Sequence, residues 1–378
     1  MTDAARAIEP AATNAPSGIG SLAASFGILE LPKLLSGEPE HTLVGRELYV
    51  DARHHQHYVT RLTRNPDCRF DHATWEIVEV GALTLGEALA LGDATLSTSE
   101  LVVEREAFVA ELSCWKCGQL WSVWKLRSSL SPEDWVCERC GEISIPAGFD
   151  LIEQVSAVRV SAELLRRPLA DFGLRPGDVF TIRARGGEVH YQLAPAARAQ
   201  PEPGAKIVVA GCGNIGSHVV PHLARIPEVA QVVLVDPDVY ENHNVRGQDI
   251  RARDVGRAKV DVQAERLREI RPGLSVVAVA DRLERLPFAD FRNAILVGAL
   301  DSRAARQSLN EFAWRAGSVW IDMAVDGAGL LCRVSVYRPT VGLPCIECGW
   351  DADDYGSLRR ILPCREMIAT KFAEGGSG

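Results

Sequence analysis

The chain has 378 residues, 47% apolar and 24% charged, with a formal net charge of −9. That length allows two or three domains with well-buried cores, and the negative balance argues against a protein that grips nucleic acid through a basic face. No apolar run reaches the roughly 18 residues of a membrane span, and the N-terminus lacks the charged and apolar regions of a signal peptide, so a reducing, cytoplasmic setting is expected, in which the ten cysteines serve as metal ligands or chemistry rather than disulfides.

In chain order, residues 1–16 read as a disordered arm. "SGIGSLAASFGILELPKLLSG" (17–37) has helical periodicity and stops at Gly37, with Pro32 expected to kink or shorten the helix. "GRELYVD" and "HHQHYVTRLTR" alternate like two strands. Alternation would split the histidines of "HHQH" between two faces, which favours a strand with one exposed face over a metal cluster. "RNPDCRFDH" follows, where Cys68 and His72 make half of a tetrahedral zinc set. Cys114, Cys117, Cys137 and Cys140 form C-x2-C-x19-C-x2-C with a glycine after each pair, which predicts a zinc ribbon in a region spanning 73–150. Residues 151–193 predict a small α+β domain whose hairpin turns at Gly186-Gly187, and 194–204 read as a Pro/Ala linker.

"KIVVAGCGNIGSHVVPHLARI" is then a buried strand, a glycine turn and a helix, with Gly211, Gly213 and Gly216 spaced G-x-G-x-x-G. Such glycines let the main chain approach phosphate at a helix N-terminus, where free N–H groups and the dipole favour anions. Asp236, twenty residues past Gly216 at the end of "QVVLVD", stands where a ribose hydroxyl is usually held. These features predict a nucleotide site but do not separate NAD from ATP.

The residues beyond do. "DPDVYENHNVRGQ", "DVGRAKVDVQAERL", "LVGALDSRAARQSLNEFA" and "PCIECGW" together resemble the ThiF/MoeB/HesA family of ATP-dependent adenylating enzymes, kin of the ubiquitin-activating enzymes, from about Lys206 to Cys364. The resemblance implies Asp236 on the ribose with Asp238 beside it in the nucleotide site, Asn244 and Lys259 on the triphosphate, and Asp301 on magnesium. An ammonium suits phosphate charge, and a carboxylate suits a hard cation that keeps several waters. Two departures stand out. Gly247 occupies the place of the family's arginine before the glutamine, so either Arg246 reaches the phosphates from a reshaped loop or Gln248 acts without it. The family's arginine-bearing segment before the first strand is also missing, the linker offering only Arg198.

In the resembled family, Cys345 and Cys348 of "PCIECGW" are the first half of a zinc site whose second half follows a long helix and two strands. That portion resembles residues 17–72, so the order looks circularly permuted and the resemblance implies a zinc bridging Cys345 and Cys348 to Cys68 and His72. Asp71 stands at the family's fourth cysteine and is the alternative ligand; His72 is favoured as the better zinc donor. The expected fold is α/β: a Rossmann-like ThiF/MoeB adenylation domain in permuted order (halves 17–72 and 205–364), an inserted zinc ribbon, a small α+β domain and a flexible tail over 365–378. The implied activity is ATP-dependent adenylation of the C-terminal carboxylate of a small ubiquitin-like or sulfur-carrier protein or a peptide, with ATP, Mg2+ and two structural Zn2+ sites, in a homodimer without membrane or nucleic-acid partners. Cys364, near the family's crossover cysteine, is either a thiol acceptor or structural. The competing readings are a catalytically weakened carrier-binding scaffold and an NAD-dependent oxidoreductase with a zinc ribbon.

Overall fold

The computed structural model describes residues 15–96, 98–147, 151–196 and 203–358. Cys364, the tail over 365–378, Arg198 and most of the arm fall outside the described residues. In chain order the helices and strands are α1 (Ser17–Ser36), β1 (Arg46–Asp51), β2 (Gln56–Arg61), β3 (Ile77–Val80), α2 (Leu85–Ala90), β4 (Glu100–Val102), β5 (Phe108–Cys114), β6 (Leu120–Leu126), β7 (Ser144–Pro146), β8 (Gln154–Ser156), α3 (Ala162–Leu165), β9 (Val179–Ala184), β10 (Gly187–Leu193), β11 (Ala205–Ala210), α4 (Gly216–Leu223), β12 (Val229–Val235), α5 (Lys259–Ile270), β13 (Ser275–Val279), β14 (Ala294–Gly298), α6 (Arg303–Ala316), β15 (Trp320–Asp326), β16 (Leu331–Tyr337) and α7 (Ala352–Leu358). They fall into two units, the first made of the described residues up to Thr74, from 203 to 286, and from Asp290 to Leu358.

The first unit is built on an eight-stranded sheet in the order β13-β12-β11-β14-β15-β16-β1-β2. Its first five strands are parallel, and β16, β1 and β2 extend it antiparallel. A parallel sheet covered on both faces needs strands that are apolar throughout. β11 meets this condition: Ile207 and Val209 join the core under α1, α4 and α5, while Val208 and Ala210 join the core under α6. The strands at 46–61 therefore share a sheet with strands more than 250 residues later, with Leu48 opposite Val334.

α1 packs on β15, β16 and α4, where Gly20 faces Asn214 and Gly27 faces Met323 so closely that a Cβ on either glycine would lie about 2 Å from its neighbour, at 2.0 and 2.2 Å. By length and composition this helix could cross a membrane, contrary to the expectation from uninterrupted apolar runs; here Ala23, Ala24 and Leu31 are fully buried in the core. Pro32 does not shorten it. The helix continues to Ser36 and ends at Gly37 with φ +75°, because a proline this near the C-terminus removes one hydrogen bond while the packed face holds the turn. Buried Glu30 is satisfied by Lys33 at 2.6 Å and the Leu43 N–H at 2.7 Å. His54 and His55 lie in the turn between β1 and β2, not in a strand, and β2 is exposed along its whole length. The strand that the alternation predicted is a sheet edge with both faces outward.

The second unit holds a five-stranded sheet, β3-β10-β9-β4-β8, and a three-stranded one, β6-β5-β7. The expected division at residue 150 does not describe this unit. β3 and β4 from one side of the boundary pair with β10, β9 and β8 from the other, and the ribbon strands lie between β4 and β8 in the chain. Pairing with strands in place later in the sequence decides the unit, and local composition does not report it. The hairpin of β9 and β10 turns between Ala184 and Gly187, and α2 is closed by a capping box of Thr84 and Glu87.

Candidate functional site

At the C-terminal ends of the parallel strands the first unit opens a cleft of about 460 Å³, between the turn after β11, the ends of β12 and β15, and the N-terminus of α6. This is the switch point of an open α/β sheet, where such folds bind ligands. The three glycines do different jobs. Gly211 has φ +93°, and a Cβ there would strike the Ala299 carbonyl oxygen at 2.4 Å. A Cβ on Gly216 would lie 2.0 Å from the Gly211 carbonyl oxygen, so the start of α4 can rest on the turn only as glycine. Gly213 lines the cleft and has nothing within 4 Å of its Cβ position. Its space is open to a ligand. Gly216→Ala should therefore cost about 1–3 kcal/mol through overpacking, while Gly213→Ala should leave thermal stability unchanged; melting curves of the two variants check this.

Asp236 is buried at 5% exposure and accepts from the Cys212 N–H at 2.7 Å and the Asp238 N–H at 2.9 Å. Lys259 Nζ donates to Asp238 at 2.7 Å and lies 3.9 Å from Asp236. Burial pushes the Asp236 carboxyl up, against the pull of Lys259 and the two N–H groups. Burial by itself would drive Lys259 down, but Asp236 and then Asp238 hold it above its ordinary value, so the ammonium stays charged in a half-closed site. Tyr240 braces the turn, donating to the Cys212 carbonyl at 2.8 Å and accepting from Gln263 at 2.8 Å.

Of the residues singled out from the sequence, Gly211, Gly213, Asp236, Asp238, Gln248, Lys259 and Asp301 line this cleft, and Gly216 lies beneath it. Asn244 and Arg246 are not brought to it. Asn244 is buried in the turn of residues 242–246, its Oδ1 accepting the Glu241 N–H at 2.8 Å, and Arg246 is exposed. Gly247 has a local reason: a Cβ there would lie 2.9 Å from the Ala15 carbonyl oxygen and 3.1 Å from Asn214 Nδ2. Asn214 ties these pieces together, donating to Ala15 at 3.0 Å and to Gly247 at 2.5 Å. Asn214, Arg282 and Arg306 also line the cleft and were not picked out; no spacing in the sequence pointed to them. Cys212 and Cys332 are buried.

The residues fit a phosphate-bearing ligand and a divalent cation. Main chain is open at Gly213, a buried ammonium faces inward, and Asp301 is an exposed carboxylate that makes no ion pair among the described residues. Hard cations take such oxygens.

Two further clusters suit zinc. Cys114, Cys117, Cys137 and Cys140 have their sulfurs within 4.8 Å of one another, with Sγ pairs at 3.4 and 3.6 Å. The knuckles close through Gly118 and Gly141, both at positive φ, whose N–H groups donate to Cys114 and Cys137 at 2.9 and 2.8 Å. In the first unit, Cys68 Sγ lies 3.8 Å from Cys345 Sγ, which is 3.9 Å from Cys348 Sγ, and His72 Nε2 is 3.3 Å from Cys348 Sγ. A tetrahedron with Zn–S bonds of about 2.3 Å has edges near these lengths. The His72 Nδ1–H donates to the Phe70 carbonyl at 2.6 Å, leaving Nε2 to face the sulfurs. Asp71 turns away, held by Arg315 at 2.7 and 3.0 Å. Glu347, between the two cysteines, is buried and bound by Gln307 at 3.0 Å and Asn310 at 3.3 Å of α6.

The sequence model of the ThiF family matches residues 203–374. Among curated proteins, the chain is 33% identical over 110 residues to the NEDD8-activating enzyme E1 catalytic subunit of Saccharomyces cerevisiae (28% of this chain, 36% of that one). It is 30% identical over 110 residues to the SAMP-activating enzyme E1 of Haloferax volcanii (28% and 40%), and 26% identical over 149 residues to the sulfur carrier protein ThiS adenylyltransferase of Escherichia coli (39% and 58%). The chain thus spans less than two thirds of the length of each of these relatives. Over residues 203–374, this chain is similar to the ThiF family.

Proposed function

We propose that this chain is an ATP-dependent adenylyltransferase acting on the C-terminal carboxylate of a small ubiquitin-like or sulfur-carrier protein, or of a peptide. The observation that carries the reading is the buried, charged Lys259 beside Asp236 at the open Gly213 turn, with Asp301 across the cleft. In the proposed reaction a carboxylate oxygen bonds to the α-phosphorus of ATP, the bond from that phosphorus to the bridging oxygen breaks, and pyrophosphate leaves with the electron pair. The chain's own work is positioning and charge neutralisation: the glycine turn offers N–H groups to phosphate, Asp236 holds the ribose, and Lys259 faces the negative oxygens. A magnesium ion held at Asp301 would add cationic charge on the phosphates. The relatives' names, which include a sulfur carrier protein adenylyltransferase and activating enzymes for NEDD8 and SAMP, support a protein C-terminus as the substrate.

We also read the domain as circularly permuted, with β1, β2, Cys68 and His72 supplying what the family resemblance places at the other end. The sheet order and the 3.8 Å contact of Cys68 with Cys345 support this. A weakened carrier-binding scaffold is the second reading, favoured by one observation: Arg246 is exposed away from the cleft while Gly247 fills the family's arginine position. Incubation with α-labelled ATP and candidate carrier proteins separates the two. The adenylyltransferase reading expects labelled acyl-adenylate, whereas binding of a carrier without label would favour the scaffold. Asp301→Asn should reduce adenylate formation and shift the magnesium requirement upward, with partial rescue at high magnesium; an unchanged metal titration would count against its role.

A further inference from the structure

Arg306 lies five residues beyond Asp301 on α6 and lines the cleft with 12% of its side chain exposed. Its Nε donates to Asp322 at 3.0 Å, and its Nη2 donates to the carbonyl oxygens of Leu300 at 2.5 Å and Met323 at 3.3 Å. Asp322 is fully buried, and its other oxygen accepts from Arg333 Nη2 at 2.8 Å. Arg333 lies 3.5 Å from Glu47, which accepts from Ser335 Oγ at 2.9 Å. Two anions and two cations therefore alternate from β1 across β16 and β15 to α6, and the row ends on the main chain at Leu300, the residue before Asp301.

Alternation explains how these charges tolerate burial, since none is left uncompensated. It does not explain the last contact. A row serving stability alone could end on Asp322; this one also turns Nη2 onto a carbonyl of the loop at the mouth of the cleft. That loop is otherwise tied by the Ala299 N–H to the Ala210 carbonyl at 2.8 Å. A carboxylate serving a cation with strict octahedral geometry needs its main chain fixed, and outer groups that orient metal ligands govern affinity.

We propose that Arg306 is a positioning residue for Asp301: by clamping the Leu300 carbonyl from a guanidinium anchored on Asp322, it fixes the loop that presents the cation-binding carboxylate. Asp322 is the anchor, and Arg333 compensates its other oxygen, so the clamp itself is the pair Arg306–Asp322. The inference rests on the adenylation reading, in which Asp301 holds a divalent cation. Lysine at 306 would keep a cation beside Asp322 but, as a compact point charge, would not also span to the carbonyls behind it.

The test uses the full chain with ATP and Mn2+, reading the free Mn2+ signal by electron paramagnetic resonance. Arg306→Lys should weaken Mn2+ binding in the ATP complex by about 10–100-fold, the loss that follows when a group orienting a metal ligand is removed, and should leave metal-free ATP binding unchanged. In an Asp301→Asn background the same substitution should add nothing, because both act through one carboxylate. Unchanged Mn2+ affinity in Arg306→Lys, or full additivity with Asp301→Asn, would overturn the proposal. Glu47→Gln perturbs the far end of the row without touching Leu300. If it weakens Mn2+ as much as Arg306→Lys does, general loosening accounts for the effect and the positioning role fails. A parent chain that binds neither ATP nor ATP with Mn2+ would instead bring down the adenylation reading itself.

Discussion

Replacing Lys259 with alanine should abolish adenylate formation, lowering the turnover rate by at least about a hundredfold, the loss that follows removal of one preorganised donor to developing charge. Lys259 is the ammonium held inward at the cleft, 2.7 Å from Asp238 and 3.9 Å from Asp236. Its removal leaves two carboxylates facing the phosphates with nothing between, so the field at the site changes sign. The fold should survive, because Asp236 keeps its two main-chain N–H partners, and a retained circular dichroism spectrum checks this. A pH signature follows. The Asp236 carboxyl is already pushed up by burial, and without Lys259 it rises further. A group whose folded pKa lies above its unfolded value stabilises the protein below the unfolded pKa and loses that contribution as pH rises through the folded one. The variant should therefore lose more stability than the parent as pH rises above the ordinary carboxylate range in urea denaturation. Equal losses would mean that Lys259 and Asp236 are not coupled.

Elemental analysis should find two zinc ions per chain, and Cys345→Ser should leave one. Structural zinc contributes about 10–16 kcal/mol in small zinc-finger peptides, so loss of the site built from Cys68, His72, Cys345 and Cys348 should lower the melting temperature more than Gly216→Ala does. The site joins segments 277 residues apart, Cys68 and Cys345, and Arg315 supports it from α6 through Asp71. Cys114→Ser should remove the other zinc and leave this one. A parent chain holding a single zinc that survives Cys345→Ser and disappears with Cys114→Ser would eliminate the bridging site.

The α/β class and the glycine turn were legible because both are local. A strand, three glycines at fixed spacing and a helix fall within some twenty consecutive residues, and each glycine answers a steric demand that the main chain makes in place. The ribbon cysteines were legible for the same reason, since each knuckle is a four-residue turn closed by glycine. The row Glu47–Arg333–Asp322–Arg306 was not, because it depends on cross-strand register: Glu47 meets Ser335, and Asp322 meets Ser335 from the other side. No spacing in the chain reports that. Asn244 misled for a related reason, since its amide could serve a phosphate or cap its own turn, and the capping bond to Glu241 won. Pro32 and the histidines at 54 and 55 show the limit of reading one element alone: packing carried the helix past the proline, and the turn took residues that alternation had assigned to a strand.

The most direct test of the account is exchange of labelled pyrophosphate into ATP by the parent chain, with magnesium and a panel of carrier proteins and peptides bearing free C-terminal carboxylates. Exchange reports reversal of adenylate formation and needs no knowledge of where the acyl group goes next. The account predicts exchange that depends on one class of carboxylate and disappears in Lys259→Ala. No exchange across the panel, together with saturable binding of NAD and none of ATP, would contradict it.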